Sequence, residues 1–277
     1  MLNQYRILVF MLLAWLSASW GCATSNQRVA MVVGNGQYQH AAPLANPAND
    51  AATMSEQLES LGWHVTTAID VPTADFEQIV VSFEQDLADA EQAIFFYAGH
   101  GMQINGENYI VPVEFDPASA ELGRDLISLN RTIERFKEAD VQLAVFLDAC
   151  RDNPLTGQFE QAARESNRGL SLAGKSPEPR ELHFGEGLAE LPASAGTFIA
   201  YSTAPGHVAL DGAGEYSPFT NALLNHIESR NLDVSSVLQR VRNEVVRNTG
   251  GSQVPWDHSS LTETFWINPK QLSAPPP

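Results

Sequence analysis

Cysteine is nearly absent from this 277-residue chain: Cys22 and Cys150 are the only two. Without a C-x-x-C pair the chain lacks the usual basis for dithiol redox chemistry, and no Cys or His spacing matches a zinc site. Positive charge is also scarce. Sixteen Lys and Arg stand against 33 Asp and Glu, a formal charge of −17. Nucleic acid is therefore a poor partner, because phosphate binding needs clustered cations. No G-x-x-x-x-G-K-[ST] phosphate loop occurs, and no D-x-[DN]-x-[DN]-G calcium loop, so the sequence itself gives no metal site. Long apolar runs are missing as well, apart from Ile7 to Leu16, which is short for crossing a bilayer. What remains is ordinary globular composition, 44% hydrophobic and 18% charged, enough for one domain or two small ones.

Residues 1–27 read as an export signal, with Arg6 as the only charge ahead of the apolar run. Ser19-Trp20-Gly21-Cys22 then resembles a bacterial lipoprotein cleavage site, with Cys22 as the lipidated residue. Ser19 and Trp20 depart from the usual Leu and small residue. Cleavage near Ala18 or Ala23 is the alternative. The expected location follows: export across the inner membrane, then a lipid anchor in the bacterial envelope, or otherwise a periplasmic or secreted form. Acylation of Cys22 would leave Cys150 as the only thiol, so no intramolecular disulfide can form.

Downstream, short apolar runs alternate with helical periodicity. Arg28 to Val33, Trp63 to Ile69, Ala93 to Tyr97, Val141 to Ala149 and Thr197 to Ser202 read as strands, and Tyr109 to Val113 as a hairpin arm. Asn46-Pro47 opens a helix with Ala51, Met54, Leu58 and Leu61 on its buried face. Phe76 to Leu87 and Leu126 to Phe136 give two more. Ser217 and Asp233 cap the last two, and Thr264 to Ile267 reads as a final edge strand. This alternation predicts an α/β fold, a mostly parallel central sheet covered on both faces. Residues 28–268 form one domain, 269–277 a Pro-rich tail. Within the domain, 151–195 is rich in Gly, Pro, Ser and Glu and reads as a mobile loop or processing linker.

Parallel sheets place their sites beyond the carboxyl ends of the strands. His100, in Tyr97-Ala98-Gly99-His100-Gly101, and Cys150, in Leu147-Asp148-Ala149-Cys150-Arg151-Asp152, both fall there, fifty positions apart. A thiol attacks a carbonyl as thiolate, which an adjacent imidazole generates. Of seven histidines, His100 alone is flanked by glycines after an apolar strand. Backbone amides of Gly101 and Cys150 are the candidate oxyanion hole, each such donor typically contributing about 2.7–4 kcal/mol.

These segments resemble the caspase-like clan, specifically its bacterial metacaspase or orthocaspase branch. The likeness runs from about Arg28 to Ile267 and also draws on Asn49-Asp50-Ala51 and Tyr201-Ser202-Thr203-Ala204-Pro205-Gly206. The caspase signature is Q-A-C-[RQG]-G; here it is D-A-C-R-D. The resemblance implies a three-layer αβα sandwich and a cysteine endopeptidase with a His100–Cys150 dyad. It also implies that Ser202 lies on the strand lining the specificity pocket. In caspases a glutamine and arginines bind a substrate aspartate. Here Asp148 takes the glutamine's place, Asp211 falls near one arginine's place, and Leu44 near the other's. A pocket that has lost cations and gained carboxylates accepts Arg or Lys and rejects Asp. Metacaspase-like enzymes cleave after Arg or Lys, so the expected substrates are proteins or peptides cut there. Arg164, Arg168, Lys175 and Arg180 in the linker are then candidate self-processing sites. Calcium dependence is implied by the family alone, although Asp152 and Glu160 stand nearby in sequence. A different class remains open: a caspase-fold interaction module, catalytically silent, at the cell envelope.

Overall fold

The computed structural model describes residues 27–118, 125–150, 183–185, 188–191, 195–204 and 209–269, with Gly157 and Gln161. β1 (Gln27–Gly34) and β6 (Gln142–Cys150) flank β3 (Ala90–Ile104) in parallel. β2 (His64–Ile69) extends the sheet beyond β1, β8 (Thr197–Tyr201) beyond β6, and β9 (Trp256–Ser259) ends it antiparallel to β8. The order β2-β1-β3-β6-β8-β9 puts β3 and β6 at the centre.

Both faces of these strands are covered, which explains their unbroken apolar runs. Met31, Phe95, Tyr97, Val145 and Leu147 pack under α2 (Thr73–Leu87) and α3 (Leu129–Lys137), through Phe76, Val80, Phe83, Ile133 and Phe136. The intervening residues Val32, Ile94, Phe96, Ala144 and Phe146 pack on the other side. There they meet α1 (Pro47–Ser60), α4 (Pro218–Ile227) and α5 (Val234–Asn248) through Met54, Leu58, Phe219, Leu223, Val237 and Val241. Each such side chain contributes roughly 1.5–3 kcal/mol when fully buried. The expected α/β sandwich is what forms. Among the described residues no helix is long and apolar enough to cross a membrane.

Three details differ from the sequence expectations. β3 does not stop at Tyr97 but runs through His100 to Ile104, because β4 (Glu107–Ile110) folds back on it antiparallel, with β5 (Ile127–Ser128) paired to β4 in turn. Asn46 does not cap α1 with its side chain; its Nδ2 donates to the backbone carbonyl of Asp211 instead. The edge strand is β9, not Thr264 to Ile267. Phe265 and Ile267 are buried in the helix-side core, and that segment contributes one bridge, Asp233 with Trp266.

Candidate active site

β3 and β6 pair in register as Ala98 with Asp148, Gly99 with Ala149, and His100 with Cys150. The histidine and cysteine positions are thus direct neighbours across two central parallel strands. His100 is 2% exposed, and neither ring nitrogen has a partner in hydrogen-bond geometry among the described residues. Burial pushes its pKa down to about 4, with the Ala42 backbone pulling the other way. The imidazole is therefore neutral at pH 7 in this state, able to accept a proton from a thiol beside it. His100 sits within a strand rather than in the loop its flanking glycines imply. Gly99, at φ +148°, makes this possible: a Cβ there would stand 2.7–2.9 Å from Tyr97 Oη, Tyr38 Oη and the Asn35 carbonyl. At Gly101 a Cβ would meet Leu188 Cδ2 at 2.9 Å and Ala149 Cβ at 3.2 Å, so the two strands approach closely here.

Asp148 is buried, on the face of β6 that meets α1 and α4. Its Oδ2 accepts hydrogen bonds from the hydroxyls of Ser217 and, at 2.7 Å, Thr220. Beside it lies Asp50, 1% exposed, whose Oδ1 accepts from the Ser217 backbone N–H at 3.2 Å. Desolvation, then the charge of Asp148, push Asp50 up to about 9. Desolvation also raises Asp148, against the hydroxyls of Ser217, Thr220 and Ser202, with Asp211 adding to the rise. Asp211 is half-buried and accepts the Ala45 N–H at 3.0 Å. Asp50, Asp148, Asp211 and Ser202 thus form one acidic cluster, two strand positions from Cys150.

Asp50 and Ser217 are the site residues that sequence reasoning missed. Asp50 stands one and two helical turns before Met54 and Leu58 on the buried stripe of α1, where a charged residue is costly without a purpose. That misfit was the available signal. Ser217 reads as a helix cap and is one, accepting the Thr220 N–H at 2.9 Å, but its hydroxyl also reaches Asp148. Gln253, fully buried, ties the cluster to its neighbours by donating to the Ser202 carbonyl and accepting the Leu210 N–H.

Part of the stretch after Cys150 is built into the fold. β7 (Phe184–Gly185) pairs with the end of β3, and Leu188 is buried against Gly101. Cys22, Arg164, Arg168, Lys175, Arg180, Asp152, Glu160, Pro205 and Gly206 lie outside the described residues. Among the described residues no group of three or more His, Cys, Asp or Glu could hold a metal ion.

A mostly parallel sheet with the order β2-β1-β3-β6-β8-β9, sandwiched by helices, with a histidine inside β3 in register with a cysteine at the end of β6, defines a caspase-like α/β architecture. The sequence profile of the Peptidase C14 family, described as the caspase domain, matches residues 27–266, and the chain belongs to that family. It is also 26% identical over 128 residues to the mucosa-associated lymphoid tissue lymphoma translocation protein 1 of Homo sapiens. That stretch covers 46% of this chain and 15% of the human protein. The Mus musculus homolog matches at 26% over 132 residues, 47% of this chain and 16% of the mouse protein.

Proposed function

We propose that the protein is a cysteine endopeptidase that cleaves peptide bonds after Arg or Lys. Cys150 is the nucleophile and His100 the base. The Cys150 thiol passes its proton to His100, and the sulfur attacks the substrate carbonyl carbon. His100 then returns the proton to the leaving amine as the peptide bond breaks. Water, deprotonated by the same imidazole, hydrolyses the thioester and frees the thiol. The buried imidazole gains basicity as the thiolate forms, since an adjacent anion favours the imidazolium. The backbone amides of Gly101 and Cys150 would hold the oxyanion.

The observation that carries the specificity is the pairing of Asp50 with Asp148, buried beside the Cys150 position and backed by Asp211. Two desolvated carboxyls gain most from a cationic side chain and would repel an aspartate. Arg164, Arg168, Lys175 and Arg180 in the long linker are the candidate self-processing positions under this reading. Export and acylation at Cys22 would place the enzyme in the envelope.

The test uses the chain without residues 1–26, beside Cys150→Ala, on matched peptides ending in Arg, Lys or Asp, with and without calcium. Cleavage after Arg or Lys that vanishes in the variant is expected. Cleavage after Asp would overturn the pocket assignment while retaining the dyad. No cleavage under reducing conditions with calcium would shift the reading to a silent interaction module.

A further inference from the structure

Three aromatic and polar contacts converge on His100 from one loop and one strand. Tyr38 lies in the turn between β1 and α1 and is 7% exposed. Its Oη accepts the His100 backbone N–H at 2.7 Å, and its ring lies against the imidazole, centroids 4.4 Å apart at 41°. From the strand itself, Tyr97 Oη donates to the His100 carbonyl at 2.7 Å. The peptide units on both sides of His100 are therefore held by phenols, and one of these phenols also packs against the ring. The close approach of both hydroxyls is what excludes a side chain at Gly99.

The turn that carries Tyr38 is itself pinned. Asp70 Oδ1 accepts the Gly36 and Gln37 N–H groups at 2.7 and 2.9 Å. Asn35, fully buried, donates through Nδ2 to the Val111 carbonyl, accepts the Val71 N–H, and gives its own N–H to Ala98. Tyr38 adds its backbone N–H to the Gly36 carbonyl, and Gln39 N–H reaches Val113. So much ordering around one phenol is more than core filling needs.

We propose that Tyr38 is a positioning residue for His100, fixing the imidazole toward the Cys150 position and supporting its charged form during the thiol's proton transfer. The inference rests on the reading of His100 as the base. Two physical effects contribute. The hydrogen bond to the His100 N–H fixes the backbone from which the ring projects. The aromatic ring, within about 6 Å of a developing imidazolium, attracts that cation through its quadrupole. Among the described residues, Tyr38, Tyr97 and the Cys150 position are the titratable groups placed against His100.

The experiment compares the parent chain with Tyr38→Phe, Tyr38→Leu and His100→Ala. It measures kcat and KM on an Arg-ending peptide, and the pH dependence of Cys150 alkylation by iodoacetamide, which reports the thiolate. Urea unfolding of each variant checks the fold. Tyr38→Phe keeps the ring and loses the acceptor; kcat is expected to fall about tenfold, with KM within a factor of two. Tyr38→Leu is expected to lose the ring effect too and to shift the imidazole-linked limb of the alkylation profile by about 0.5 to 1.5 pH units. If Tyr38→Leu does not fold, Tyr38→Phe carries the test alone. Folded Tyr38 variants with the parent's kcat and alkylation profile, while His100→Ala loses both, would overturn the Tyr38 role alone. A His100→Ala chain that alkylates and turns over like the parent would overturn the base assignment and this role together.

Discussion

The carboxyls of Asp50 and Asp148 are joined through Ser217, which gives its backbone N–H to Asp50 and its hydroxyl to Asp148. The two aspartates come from α1 and β6, elements far apart in sequence, and no described Lys or Arg forms an ion pair with either. If a substrate cation enters between them, as proposed, its charge draws these raised carboxyls toward their ionised form. Replacing either carboxyl by the isosteric amide removes a desolvated charge contact worth about 2–5 kcal/mol. Asp148→Asn and Asp50→Asn should each lower kcat/KM for Arg and Lys peptides by roughly 30-fold to several thousand-fold, without creating cleavage after Asp. Peptide kinetics on the folded variants checks this. Unchanged Arg cleavage in both would remove the cluster from the substrate pocket.

The same pair makes stability depend on pH. Asp50 is pushed up to about 9 by burial and by Asp148, whereas an unfolded Asp titrates near 4. Between those values the folded state binds more protons than the unfolded one, so stability falls as pH rises through that window. His100 works in the opposite sense: lowered to about 4 by burial, it makes stability fall as pH drops from about 6.5 toward 4. Above pH 6.5 only the Asp50 effect of these two remains, at most about 1.4 kcal/mol per pH unit. Urea midpoints of the parent should therefore decline from pH 6.5 to 8.5, and Asp50→Asn should flatten the decline. A parent curve that rises over that range would contradict a protonated Asp50.

The apolar cores of β1, β3 and β6 were legible because strands buried on both faces leave no polar residue to interrupt the run. The His100 and Cys150 positions were legible because Gly99-His100-Gly101 and Asp148-Ala149-Cys150 stand at the carboxyl ends of such runs. The extent of β3 was not. Gly99-His100-Gly101 looks like a turn, yet the glycines serve close approach to Tyr38, Tyr97 and Leu188 within a continuing strand. β9 was hidden because Trp256-Asp257-His258-Ser259 has no apolar alternation and, among the described residues, pairs on one side only. The more hydrophobic Thr264 to Ile267 drew the assignment, though its Phe265 and Ile267 fill the core instead. Asp50 depended on a helix docking against β6 at long range, which spacing alone does not encode.

Gly99 is the point where those constraints meet. Alanine there would adopt a φ of +148°, which L side chains rarely take, and would press its Cβ within 2.7–2.9 Å of two phenol oxygens and the Asn35 carbonyl. The strain alone is about 1–3 kcal/mol, before the displaced hydroxyls are counted. Gly99→Ala should lower the urea-unfolding free energy by at least that amount and reduce kcat more than KM, because the peptide unit of His100 moves. A variant of parental stability and kcat would show that the two tyrosines give way freely.

Asn108 tests whether the segment after Cys150 belongs to the folded body. Fully buried, it donates from Nδ2 to the Ala189 carbonyl at 2.9 Å and accepts the Ala189 N–H at Oδ1 at 2.6 Å, doing what a neighbouring strand would do. Leu188, one residue before, fills the space against Gly101, and Leu191 N–H reaches Tyr201 Oη at 2.9 Å. Asn108→Ala strands both groups of Ala189 at a cost of about 1–3 kcal/mol. Local opening should then free the backbone around Glu190, whose exposed side chain pairs with His258 on β9 at 2.9 Å. In a Cys150→Ala background, which removes self-cleavage, a Glu-specific protease should cut after Glu190 several-fold faster in Asn108→Ala than in its parent. Equal cutting rates would mean that Ala189 is held by other contacts, and that Leu188 stays against Gly101 without the amide clamp.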